Sequence, residues 1–361
     1  MNATTAHPGT RLPGRRPCFP CVRRLVEQGV RERVYPGAVW AVGDASGTHA
    51  SGTAGTLTGD PAGPPTLPGT AFDVASFTKV FATWSSVGAL WEAGLLDPYA
   101  PLGTYWPAVA GRPVGGLTAH QLLTHTAGLP LRAQLKPLYG SDPAAVRRGV
   151  LSAALRRPPG EAVEYTDRAA IILGFLVEDL TGRPLGVCAE EGTFLPLGMG
   201  STRYGPLPFA RRTRCAPTEL DPETGRHAWG TVHDYSARVL GSSCGSAGLF
   251  STADDVAAFL RHVLGGTPGT APAGFGPRWV TESLRVHTGA LRPVRGLLWH
   301  LAPGTAPAAD VWAHYGFTGT GMWVCPRKGR WALLLTNKLH FGRERGPMTG
   351  VRDRFRELAF A

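Results

Sequence analysis

Strand-forming runs lie at the two ends of this chain and helix-forming runs fill the length between them, and that order constrains the fold most. Near the start, residues 38–42 and 48–54 read as two short strands around a turn at 44–47. Toward the end, 311–314, 320–325 and 331–337 are β-rich, the last two joined by a hairpin turn at 326–330. A sheet assembled from both termini, with a mostly helical region between its halves, satisfies this order. It is an α/β (α+β) class of fold.

The helical readings rest on periodicity and caps. In 76–94, Val80, Trp84, Val87 and Trp91 step by four, three and four, giving one apolar stripe that Gly94 closes. Thr118-Ala-His-Gln121 is a capping-box pattern ahead of Leu122. Asp142-Pro143 opens another helix, and Thr166 or Asp167 caps one that ends near Gly182. Further helices are expected over 18–31, 251–264 and 347–360, and no internal repeat is visible.

Bulk composition narrows the classes. The chain has 361 residues, of which 43% are apolar, enough for a full core. Gly and Pro together make 80 residues, below the disordered range, so the expectation is a folded, loop-rich protein. The net charge of +11 comes almost wholly from arginine, since Lys79, Lys136, Lys328 and Lys338 are the only lysines. The arginines fall as scattered pairs such as Arg23-Arg24 and Arg211-Arg212, which reads as a solvated basic surface, with no nucleic-acid or membrane partner. Arg15-Arg16 is followed by prolines, cysteines and arginines, not by an apolar stretch, so no export signal is read. No run of 18 apolar residues occurs either, and the expected location is the cytoplasm. Cys18-Phe-Pro-Cys21 has redox or metal-clip spacing, but a metal would need a second pair and a redox motif a preceding strand. Free thiols are therefore expected, with no metal and no cofactor.

The chemistry centres on Ser76-Phe-Thr-Lys79, an S-x-x-K motif at the start of the best amphipathic helix. Residues i and i+3 share a helix face, so an amine stands beside the hydroxyl. A serine hydroxyl attacks poorly until a neighbour takes its proton, and a helix N-terminus supplies N–H groups for oxyanion charge. With 14 serines and 4 lysines, chance predicts roughly 0.15 such matches, so the motif gains weight from its placement.

Phe72-Asp-Val-Ala-Ser-Phe-Thr-Lys79 resembles the nucleophile region of the class C β-lactamase-like family, which also holds related esterases, transacylases and low-molecular-weight penicillin-binding proteins. Further segments follow in family order: His120-Gln-Leu-Leu-Thr-His-Thr-Ala-Gly-Leu-Pro130, Glu164-Tyr165-Thr166-Asp167, Pro196-Leu-Gly-Met199, Val232-His-Asp234, Ala247-Gly-Leu-Phe-Ser-Thr252 and His314-Tyr-Gly316-Phe-Thr-Gly-Thr320. The resemblance spans about 35–360. It implies an antiparallel sheet flanked by helices, with a helical subdomain inserted after the start of the nucleophile helix. The division expected is a leader over 1–17, a discontinuous sheet unit over 18–75 and 211–361, and a helical unit over 76–210, with the active site at their junction.

By the same resemblance Ser76 attacks a carbonyl, and Lys79 and Tyr165 share proton abstraction and return. His314 belongs to the catalytic set, and Asp167, Gly316, Phe317 and Thr318 meet the substrate. Gly316 would let substrate approach the backbone, and the Phe317 N–H would pair with that of Ser76 as an oxyanion hole. Two departures stand out. Asp167 replaces the family's usual asparagine, and His314 replaces the lysine of true β-lactamases. Both weaken the case for penicillin hydrolysis, as does the missing export signal. A third change, Gly245-Ser246 where Gly-His is frequent, has no account at this level.

The expected activity is acyl transfer from a small-molecule ester or amide through a Ser76 acyl intermediate. Water as acceptor makes an esterase or amidase. An amine or alcohol makes a transacylase, with roles in small-molecule biosynthesis such as that of antibiotics. The alternatives are a β-lactamase or D-amino-peptidase, and a non-catalytic binding or sensor protein. Gly241-Ser-Ser243-Cys-Gly245 also forms a G-x-S-x-G, with Asp310 and His314 downstream in α/β-hydrolase order, but no strong strand precedes it. His120 and His125, five apart, miss metal-motif spacing and read as local packing. The oligomeric state is not legible.

Overall fold

Trp40 and Leu334, some 300 positions apart in the chain, face each other across two paired strands, and the fold grows outward from that pairing. A computed structural model describes residues 17–131, 134–241, 243–266 and 273–361. The expected leader over 1–17 lies, apart from its last residue, outside the described residues.

In chain order the elements that matter are helix α1 (Phe19–Arg31), strands β1 (Gly37–Asp44), β2 (Gly47–Gly55) and β3 (Phe72–Asp73), a π-helical stretch Lys79–Trp84 running into α2 (Ser85–Glu92), then α3 (Ala119–Leu123), α4 (Pro143–Ser152) and α5 (Asp167–Thr181). They continue with β4 (Arg203–Tyr204), α6 (Tyr235–Leu240), β5 (Leu249–Ser251), α7 (Ala253–Val263), β6 (His300–Leu301), β7 (Trp312–Tyr315), β8 (Gly321–Cys325), β9 (Arg330–Thr336) and α8 (Gly346–Ala359). The main sheet runs β2-β1-β9-β8-β7-β6 and is antiparallel throughout. The first strand therefore sits between its own hairpin partner and the last strand.

Period-two alternation explains how the sheet is covered. Val39, Ala41, Leu333 and Leu335 join one apolar cluster with Val256 and Phe259 of α7. Ala38, Trp40, Val42, Ala332 and Leu334 join the other, with Val22 and Val26 of α1 and Phe355 of α8. Both faces are dry, so β1 and β9 read as near-continuous apolar runs.

The caps fall where the sequence placed them. Thr118 and Gln121 make a reciprocal capping box at α3, Asp142 caps α4, and Thr166 caps α5, which Gly182 ends in the left-handed conformation. Helix α5 is apolar nearly all round because it is enclosed, from Ala169 through Val177.

Two expectations need correction. Cys18 and Cys21 are joined as a disulfide and are not free thiols. Cys18 is the N-cap of α1 and Cys21 lies in its first turn, with the two Cα atoms 5.1 Å apart, within bridging range. The helix from Ser76 onward is also not one uniform α-helix: its first turns widen to π-helical geometry over Lys79–Trp84. Among the described residues, no helix is long and apolar enough to cross a membrane.

Candidate active site

Ser76 stands on a tight turn between β3 and the π-helical stretch. Ala75, just before it, has φ +48, a left-handed conformation that costs energy for any residue but glycine. The turn is held from several sides. Asp73 is wholly buried, its Oδ1 accepting from the Ala75 N–H and its Oδ2 from the His233 N–H, both at 2.9 Å. Burial pushes the Asp73 carboxyl up from its ordinary range. Thr78 Oγ1 donates to the Ala75 carbonyl at 2.7 Å and accepts from the Leu249 N–H. Thr318 Oγ1 donates to the Asp73 carbonyl at 2.8 Å from the β7–β8 connection.

Two donors converge on the serine hydroxyl. Lys79 Nζ and Tyr165 Oη each lie 2.9 Å from Ser76 Oγ. Lys79 is fully buried, bonds the Ser246 carbonyl at 2.8 Å, and forms an ion pair with Asp167 Oδ1 at 2.7 Å. Burial is the strongest influence and opposes its charge, but the Asp167 carboxylate and Tyr165 together more than offset it and hold the ammonium above the usual lysine range. Asp167 is the first residue of α5, so one helix start delivers both Tyr165 and the lysine's counter-ion. Tyr165 is 40% exposed, open to the cleft. The His125 ring packs 4.6 Å from its ring, and Lys79 Nζ and the Arg295 guanidinium stand 5.2 Å and 5.7 Å from the ring centre.

The far wall is β7. His314 Nδ1 lies 2.7 Å from the Leu298 carbonyl, which can only accept, so the proton sits on Nδ1. Burial, then the Lys79 charge, pushes the imidazole down to about 3, and the ring is neutral at physiological pH. Phe317 lines the cleft on both sides of Ser76. The main-chain N–H groups of Ser76 and Phe317 have no hydrogen-bond partner among the described residues.

Two of the residues expected to meet substrate also have inward packing roles. Thr318 is fully buried and lines neither side of the cleft; its hydroxyl is spent on the Asp73 carbonyl. Gly316 does line the cleft, but a Cβ there would meet Thr320 Oγ1 at 2.1 Å and the Val74 carbonyl at 2.7 Å. Its small size therefore serves the packing of β7 against the nucleophile turn.

The rival serine is not assembled. Ser243 follows helix α6, not a strand, and Asp310 accepts from Trp312 Nε1 and the Arg327 N–H. His120 meets His287 at 3.2 Å, and no group of three or more metal-binding side chains occurs among the described residues. Sequence reasoning missed Asp73, the Ser246 carbonyl, His125 as a support for Tyr165, and Arg295. These act through contacts between distant segments, and only the Gly245-Ser246 departure hinted at any of them.

The arrangement offers a hydroxyl with a phenol and an ammonium against it, and two free N–H groups nearby: the parts for acyl transfer. A family model described as Beta-lactamase matches residues 22–353. The chain is 30% identical over 309 residues to an Escherichia coli (strain K12) protein named "Putative D-alanyl-D-alanine carboxypeptidase", covering 75% of this chain and 70% of that one. Among solved structures, EstCE1, described as a hydrolase with promiscuous acyltransferase activity, aligns at TM-score 0.74 and 18% identity, covering 94% and 97% of the two chains. Simvastatin synthase from Aspergillus terreus aligns at TM-score 0.72 and 20% identity, covering 94% and 93%. At such identities these two likenesses speak for the fold alone.

Proposed function

We propose that this chain, which belongs to the beta-lactamase family and is one of its serine hydrolases or acyltransferases, is an esterase or transacylase acting on a small-molecule ester or amide through a Ser76 acyl intermediate. The observation that carries it is the convergence of Lys79 Nζ and Tyr165 Oη on Ser76 Oγ, each at 2.9 Å.

The steps follow from that geometry. As Ser76 Oγ bonds to the substrate carbonyl carbon, its proton passes to Tyr165 Oη, which enters this step as the phenolate and leaves it as the neutral phenol. Lys79 and Arg295, the two cations against that ring, offset the negative charge of the phenolate before it takes the proton. The N–H groups of Ser76 and Phe317 receive the carbonyl oxygen as it becomes an oxyanion. Collapse expels the leaving group, which takes the proton back from Tyr165. Water or an alcohol or amine then repeats the sequence on the acyl-serine. Lys79, held as an ammonium by Asp167, supplies charge and orientation here, and the proton itself moves through Tyr165. His314, neutral, shapes the wall. The division into a sheet unit (18–75 and 211–361) and a helical unit (76–210) is part of the same proposal, with Ser76, Tyr165 and His314 drawn from both.

A second reading is a D-alanyl peptidase, favoured by the description of the Escherichia coli relative. One experiment separates the readings. The chain is incubated with a p-nitrophenyl ester, with and without an added amine, beside a D-alanyl-D-alanine peptide and a penicillin. Ester turnover, lost in Ser76→Ala, is expected, and amide formation with little free acid marks a transacylase. Peptide cleavage without ester turnover would replace this reading with the peptidase.

A further inference from the structure

The cleft has two lobes that meet at Ser76, Tyr165, Phe317 and Arg345. Their charges differ. The smaller lobe includes the carboxylates of Asp167 and Asp234. The larger, about 430 Å³, is lined by Arg295, Lys338, Arg345 and Arg352 and by no aspartate or glutamate.

Cations crowded into a half-buried space with no carboxylate in its lining repel one another and resist desolvation. That strain is visible at Arg295, Arg352 and Lys338. Arg295 is only 9% exposed, its Nε is buried without a partner, and no carboxylate meets its guanidinium among the described residues. Arg352 Nε is likewise buried and unpartnered, although its Nη2 donates to the Gly316 and Thr320 carbonyls, both at 2.6 Å. Burial, with Arg352, Arg345 and Arg343 close by, pulls the Lys338 ammonium down to about 8. Lys338 and Arg345 both lie against the Phe317 ring, each 5.1 Å from its centre. The positive charge thus stands in two places around the lobe, Arg295 against Tyr165 and the others around Phe317 and Tyr315. A protein gains nothing in stability from four such cations. They make sense as the complement of an anion that arrives with the substrate.

We propose that the larger lobe binds one half of the substrate through a group carrying two negative charges, a phosphate monoester or a pair of carboxylates. A single carboxylate would leave one of the two cationic positions unanswered. The inference rests on Ser76 as the reacting residue, because it assigns this lobe to one half of the molecule that Ser76 cleaves.

The test is calorimetric and needs no turnover. The full chain is titrated at pH 7.5 and low salt with phenyl phosphate, isophthalate, benzoate and benzamide. Both dianions, or one of them, should bind about tenfold tighter than benzoate, and benzamide weakest. A preference for phenyl phosphate identifies a phosphate ester, and a preference for isophthalate a dicarboxylate. Arg345→Gln, at an exposed position, and Arg295→Gln should each remove most of the gain, and 0.5 M salt should weaken it. Benzoate or benzamide binding as well as the dianions would overturn the proposal, as would dianion binding that survives both substitutions. Dianion binding without any ester turnover would keep the subsite and refute the acyl-transfer reading, whereas turnover without anion preference would do the reverse.

Discussion

Replacing Asp167 by asparagine isolates what an acid does at a place where the family usually carries an amide. The carboxylate meets the fully buried Lys79 ammonium at 2.7 Å and is the largest of the influences that raise its proton affinity against burial. Asparagine keeps an acceptor oxygen at the same reach and removes the charge, so less remains to oppose burial. Breaking a buried ion pair by removing one partner costs about 3–5 kcal/mol, and the retained acceptor puts this case at about 3 kcal/mol. At about 1.36 kcal/mol per pH unit, that is a fall of about 2 units in the affinity of Lys79 for its proton. The sign for stability follows. In the parent, the folded-state value lies above the unfolded one, so the stabilisation is full below the ordinary lysine range and is lost as pH rises through the raised value. In the variant the folded value falls by about 2 units toward the unfolded one, so the sign is unchanged and most of the pH-dependent stabilisation is lost. An unfolding entropy of about 2.1 cal/mol/K per residue over 361 residues gives about 0.76 kcal/mol/K, and about 3 kcal/mol then lowers the Tm by about 4 °C at pH 7. The assay is kcat/KM for a p-nitrophenyl ester across pH, with thermal melting beside it. The alkaline limb of the variant's profile, where activity falls as the ammonium is lost, should lie about 2 pH units below the parent's. Superimposable pH profiles would refute the claim that Asp167 holds Lys79 protonated.

Three further outcomes are expected. Tyr165→Phe removes the hydroxyl 2.9 Å from Ser76 Oγ and should lower kcat by about 10²–10⁴-fold with an unchanged melting temperature, since the ring is retained; parental kcat would assign the proton transfer elsewhere. Gly316→Ala drives a methyl into Thr320 Oγ1 and the Val74 carbonyl, so it should cost about 1–3 kcal/mol in denaturant unfolding and also lower kcat by displacing the Ser76 turn. Thr118→Ala breaks the capping box at α3 and should cost about 1 kcal/mol in the same unfolding assay, leaving kcat as it was, because Thr118 lines neither lobe of the cleft.

What the sequence determined by itself is what depends on near neighbours. Thr118 and Gln121, Asp142 and Thr166 are caps set by residues two or three positions away, and they are legible as such. The strand runs at the two ends alternate or fill with apolar residues because both faces of the sheet are covered, so a sheet built from both termini could be read before any pairing was known. Ser76 and Lys79 share a helical turn, and their 2.9 Å contact follows from spacing. Tyr165 is different: it lies 89 positions from Ser76, and only the family resemblance marked it.

Only the tertiary structure decided the rest, because those effects are set by which distant segments pack together. Asp167 reads as a substrate contact along the chain, and becomes the counter-ion of Lys79 once α5 is laid beside the nucleophile turn. Thr318 reads as a cleft residue, and becomes a tie because its loop is pressed against Asp73. The basic lobe could not be read at all. Arg295, Lys338, Arg345 and Arg352 look like four of many scattered cations, and sequence gives no sign of whether a carboxylate will lie opposite each one. Convergence on one lobe and the lack of a carboxylate in its lining are what set these cations apart, and both are properties of the folded chain.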